Sequence, residues 1–85
     1  MTTQPNPTAQ AIGLLIREKR LASMLTQEAV AKAMKCRVSM ISNYERGVHM
    51  PSGDVIARLA DAIGCKADDL LAYPRDAVRA EPNPT

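Results

Sequence analysis

Residues 26–47 read TQEAVAKAMKCRVSMISNYERG, two short helical patterns separated by a three-residue break. Their apolar residues fall on a shared side, so both segments must bury against each other and against one core. Thr26 is the natural N-cap of the first pattern, Glu28 sits favourably in its opening turn, and Val30, Ala33 and Met34 are its expected inward residues. The break falls at Lys35, Cys36 and Arg37. The second pattern covers residues 38–46, anchored by Ile41, Tyr44 and Glu45, and Gly47 ends it. Two helices this close need a small residue where they cross, and Ala31, four residues after Gln27, fills that place. Val38, Ser39, Ser42 and Asn43 are then left pointing away from the core.

The rest of the chain has to supply that core. Eighty-five residues make about one small domain, near the lower limit for a core without disulfides or metals. With 46% hydrophobic residues and two aromatics, Tyr44 and Tyr73, the core must be aliphatic, and no alternating apolar-polar stretch favours a sheet. The expected fold class is all-α. Residues 1–7, with two prolines and no apolar periodicity, read as a flexible arm ahead of a domain over residues 8–73. A helix over residues 8–23, capped by Thr8, turns Ile12, Leu15, Ile16 and Leu21 inward. Ser52 opens a fourth helix that buries Val55, Ile56, Leu59, Ala60 and Ile63 until Gly64 stops it. A fifth covers residues 67–73 and Pro74 closes it. Residues 74–85 carry too little apolar surface to dock securely and read as a mostly disordered or dimer-assisting tail.

The net charge of +2 hides an asymmetry. Residues 17–46 hold seven cations against three anions, whereas residues 54–81 hold four against six. The basic half coincides with the paired helices. No stretch reaches the roughly 18 apolar residues of a membrane span, and MTTQPNPTAQ lacks the basic-then-apolar form of a signal peptide. The expected location is the cytoplasm, with no membrane partner. Cys36 and Cys65 each follow a helix end without a nearby His or second Cys, and read as small buried apolar residues. With His49 on yet another segment, no nucleophile, base or metal set assembles, so no enzyme, metal or cofactor is expected.

The paired helices form a helix-turn-helix layout, whose second helix has an exposed face of the right size for a DNA major groove. The chain resembles the Cro/CI-type regulators, also called XRE-like helix-turn-helix proteins, over about residues 12–73. The resemblance rests on IGLLIREKR, with Ile12, Gly13, Ile16, Arg17 and Arg20, on LTQEAVAKAM and ISNYERG, on the proline of HMPS, and on LADAIGCKADDLL. It implies a compact five-helix bundle of the lambda-repressor-like type, acting in transcription through operator binding as a dimer. It also implies a partly buried structural ion pair between Arg20 and Glu45. Two positions depart from the family pattern: Lys35 stands where glycine is usual in the turn, and Arg37 where Ser or Thr caps the recognition helix. A left-handed lysine costs about 1 kcal/mol more than glycine.

From this layout, base edges are expected to meet Arg37, Val38, Ser39, Ser42 and Asn43, with Val38 against a thymine methyl and Asn43 suited to adenine. Phosphates are expected to meet Gln27, Lys35, Arg46, Val48 and His49. One such helix reads only about four to six base pairs, so a homodimer on a palindromic double-stranded operator is expected. Leu70, Leu71, Tyr73 and Val78 are the expected dimer interface. Length and bare layout are similar to those of small plasmid-encoded repressors, and a repressor that occupies a promoter fits best. A DNA-binding antitoxin whose tail engages a protein, and an activator that touches RNA polymerase through the second helix, stay open, as does a co-repressor partner.

Overall fold

Turn chemistry decides where each helix begins and ends. The computed structural model describes residues 7–71. These form α1 (Pro7–Ala22), α2 (Gln27–Met34), α3 (Val38–Glu45), α4 (Gly53–Ile63) and α5 (Ala67–Leu71), with no strand among the described residues. Thr26 Oγ1 accepts from the Ala29 amide at 3.0 Å and Ser52 Oγ from the Val55 amide at 3.3 Å, so both expected caps close orphan donors. Gly64, at φ 94°, ends α4 in the left-handed region. Lys35 adopts φ 57° and ψ 46°, the conformation its place in the turn demands, and its amide donates back to Ala31 and Lys32.

Several expectations need correction. The first helix opens at Pro7, a position where a missing N–H is harmless, so Thr8 lies inside its first turn instead of capping it. Leu21 is 52% exposed and Ala33 is exposed, because α1 and α2 turn other residues, Ala9 and Ala31 among them, towards the core. The expected arm and tail lie outside the described residues, Pro7 apart, as do Tyr73 and Pro74. Cys36 and Cys65 are free and only half-buried, packed against the edge of the core, where burial pushes the Cys65 thiol pKa up. A left-handed Met24 (φ 59°) follows α1 and lets the Leu25 amide donate to the Arg20 carbonyl at 3.1 Å. No glycine marks that turn in the sequence.

The core is aliphatic, as the composition requires. Ile12, Ile16, Val30, Ile41, Leu59 and Leu70 are its largest fully buried side chains. Through it α1 packs on α3 and α5, and α4 packs on α2 and α5. One polar tie links α4 to α2: Arg58 Nη2 donates to the Met34 carbonyl at 3.0 Å and closes the end of α2.

Two glycines set how closely α1 approaches the end of α3. A Cβ on Gly13 would stand 2.3 Å from the Tyr44 carbonyl oxygen and 2.6 Å from that of Glu45, both backbone atoms that cannot swing aside. Gly47, at φ 76°, would bring a Cβ to 2.8 Å from Gln10 Cα, so it serves close packing as well as the helix stop. Gly13→Ala is therefore expected to lower stability by about 2–3 kcal/mol through overpacking. Gly53→Ala, where a Cβ meets nothing within 4 Å, is expected to be neutral or stabilising. Thermal unfolding of the two variants side by side measures the contrast.

Candidate nucleic-acid interface

The orientation of α3 is set by one buried carboxylate at its end. Arg20 Nε donates to Glu45 Oε2 at 2.6 Å and Arg20 Nη2 to Glu45 Oε1 at 3.1 Å, a two-pronged pair in which the residues are 8% and 7% exposed. Arg20 Nη1 also donates to the Leu25 carbonyl at 2.8 Å. Gln27 Nε2, at the start of α2, donates to Glu45 Oε1 at 3.0 Å. Glu45 thus ties α3 to both α1 and α2, and its hydrogen bond raises the Arg20 guanidinium pKa above the ordinary value. Gln27 was expected at a phosphate. Its amide spends one hydrogen on Glu45 and keeps a second for solvent or a ligand.

On the opposite side of α3, Ser39 is exposed and Ser42 and Asn43 are half-buried. Asn43 Oδ1 accepts from Arg46 Nη2 at 2.7 Å, which aims the amide nitrogen away from Arg46. Val38 departs from expectation. It is half-buried and packs against the core, so it flanks the outward face without projecting freely from it. Met40, 42% exposed, joins that face instead. Its helical spacing, three residues before Asn43, was the signal; its apolar character disguised it. Arg37 stands at the N-cap of α3 in extended conformation, exposed, with no side-chain cap hydrogen bond. Lys35, Arg46 and His49 are exposed near the two ends of the helix, and Val48 and Met50 are 55% and 50% exposed in the loop beyond it.

The residues expected to pair two copies are less coherent. Leu70 is fully buried among the core residues, because α5 is too short to spare it from packing on α1 and α4. Leu71 is 45% exposed, and Tyr73 and Val78 lie outside the described residues. Among the described residues no helix is long and apolar enough to cross a membrane.

The helix-turn-helix family model matches residues 16–70, most of the chain. The chain belongs to the XRE-type helix-turn-helix family. It is 39% identical over 62 residues to the uncharacterized HTH-type transcriptional regulator YazB of Bacillus subtilis (strain 168), an overlap of 73% of this chain and 90% of YazB. Its structure is similar to that of the clp gene regulator ClgR from C. glutamicum, with TM-score 0.74 and 26% identity over 78% of this chain and 86% of that one. It is also similar to the restriction-modification controller protein C.AhdI from Aeromonas hydrophila, with TM-score 0.69 and 31% identity over 73% and 94% of the two chains. The protein is a DNA-binding transcriptional regulator of this family, not an enzyme.

Two substitutions separate orientation from contact. Glu45→Ala strands the Arg20 guanidinium away from water, and is expected to lower stability by about 3–5 kcal/mol and to weaken DNA binding with it. Calorimetry and gel shifts on one preparation check both. Arg37→Ser supplies the missing cap, and is expected to stabilise α3 by about 1 kcal/mol while lowering DNA affinity. A melting temperature that rises as affinity falls identifies a position kept for binding.

Proposed function

We propose that the protein is a transcriptional repressor that binds a palindromic double-stranded operator as a homodimer. The observation that carries this reading is the anchoring of α3 by Glu45 to both neighbouring helices, with a polar face turned outward and cations near both ends. A helix held at both α1 and α2 presents its outward side chains at one angle to the groove, which readout of base edges requires.

In this reading Ser39 and Asn43 contact base edges, with Ser42 beside them. Val38 and the exposed Met40 offer methyl groups to thymine, and Arg37 reaches guanine or a phosphate at the start of the helix. Lys35, Arg46, His49, the loop at Val48 and the spare amide hydrogen of Gln27 engage the phosphates, which position the protein without distinguishing sequences. The short reach of a single α3 calls for two copies on a repeated half-site, about one helical turn apart. Occupation of a promoter then excludes polymerase. The exposed face of α2 carries Glu28 as its one acidic residue, a poor match for an activator's docking surface.

Footprinting across the protein's own promoter region is expected to protect two symmetric half-sites. In binding-site selection, Asn43→Ala should relax preference at one base position. Lys35→Ala should weaken operator and random DNA about equally and reduce the slope of log K against log salt by about one.

A further inference from the structure

Helix α1 carries large apolar residues on both of its sides, and only one set is buried. Ala9, Ile12 and Ile16 are buried against the other helices. The opposite ridge, at three- and four-residue spacing, carries Gln10, Leu14, Arg17, Glu18 and Leu21, all exposed, with Leu14 at 57% and Leu21 at 52%. A surface helix normally turns polar residues to water on the side away from its core, and here two leucines stand there among Gln10, Arg17 and Glu18. The two lie about 10 Å apart along the helix, two turns from one another.

The charges between them carry the argument further. Reversing the order Leu14, Arg17, Glu18, Leu21 replaces leucine by leucine and arginine by glutamate. Two copies of α1 laid antiparallel about a two-fold axis passing between residues 17 and 18 therefore meet with opposite charges facing and leucine against leucine. A two-fold contact requires this self-complementarity, in which residue i meets j and j meets i. The ridge is also bordered by an open groove of about 450 Å³, lined by Gln10, Leu14, Arg17, Glu45 and Arg46. In the antiparallel arrangement, Leu21 of the second copy lies against Leu14 and over this groove. That covers the outer side of Glu45, the residue that holds α3 in place.

We propose that the outer ridge of α1 is where two copies of this chain meet, antiparallel, with Arg17 of each facing Glu18 of the other and Leu14 packed on Leu21. This deepens the homodimer of the proposed function by naming its contact surface. It places that surface away from α5, where Leu70 is spent on the core and Leu71 is the one exposed leucine of that helix. Occupancy of the seam reaches Arg46 and the end of α3, so pairing and DNA affinity are coupled through side chains that both use.

Sedimentation equilibrium of the full-length protein without DNA tests the surface independently of operator binding. The wild type is expected to show a reversible monomer–dimer equilibrium. The double variant L14S/L21S, altered only at exposed positions, is expected to keep its circular dichroism and melting temperature while its dissociation constant rises at least about tenfold. R17E sets like charges face to face and should weaken pairing about fivefold; R17E/E18R, which restores opposite charges in the reversed order, should recover it to within about twofold. L71S should have no effect. A wild-type chain that stays monomeric overturns the proposal and leaves the ridge to a different partner. Pairing that survives L14S/L21S, or R17E/E18R no better than R17E, also overturns it. Gel shifts on the same variants report operator binding by itself: no selective DNA binding by the wild type would sink the repressor reading whatever the sedimentation shows.

Discussion

Glu45 holds three helices at once. Its two oxygens receive two hydrogen bonds from Arg20 on α1 and one from Gln27 on α2, and the residue is 7% exposed. In a chain this short, a buried charge is expensive unless every lone pair is matched, and here donors from two different helices supply the match. An apolar contact at the same place would tolerate sliding of α3 along its neighbours. A two-pronged guanidinium pair does not, because its geometry is directional. The angle at which α3 offers Ser39, Met40 and Asn43 to a ligand therefore depends on this polar junction more than on the aliphatic core behind it.

The same end of α3 is where backbones come closest. Gly13 lets α1 ride on the carbonyls of Tyr44 and Glu45, and Gly47 lets the following loop lie on Gln10. These approaches place Arg20 within reach of Glu45 without a stretched side chain. At its other end α3 is held less well. Lys35 occupies a left-handed turn that glycine would take more easily, and Arg37 leaves the first amides of α3 without a side-chain cap. Both departures place a cation where the family pattern has a neutral structural residue. In the proposed complex with DNA, a phosphate or base edge would restore the stability lost at the start of α3.

Surface apolar residues divide in a similar way. Met40, Val48 and Met50 lie on or beside the outward side of α3, whereas Leu14 and Leu21 lie on the outer ridge of α1. The groove lined by Leu14, Arg17, Glu45 and Arg46 joins the two regions. A second copy seated on α1 would dry the outside of the Arg20–Glu45 junction and strengthen it electrostatically. In that arrangement pairing and the rigidity of α3 would reinforce one another.

Local order set the helices, their caps and the turn of this protein. Thr26, Ser52, Gly47 and Gly64 act through hydrogen bonds and backbone conformations within a few residues, and the aliphatic periodicity named nearly all of the core. Arg20, Glu45 and Lys35 were legible too, the first two through family resemblance and the third through its position in the break. Tertiary packing decided what spacing leaves ambiguous. It buried Leu70, exposed Leu21 and Ala33, turned Val38 partly inward and brought Met40 to the outward face, because residues near the border of a helical face are assigned by what packs beside them. It also gave Gln27 to Glu45 and Arg46 to Asn43, and opened the groove beside α1. The Gln27–Glu45 bond and the groove join residues from separate helices, so one-dimensional spacing carried no signal for them, whereas the Asn43–Arg46 pair stands at the three-residue spacing of helix neighbours and packing only selected its rotamers.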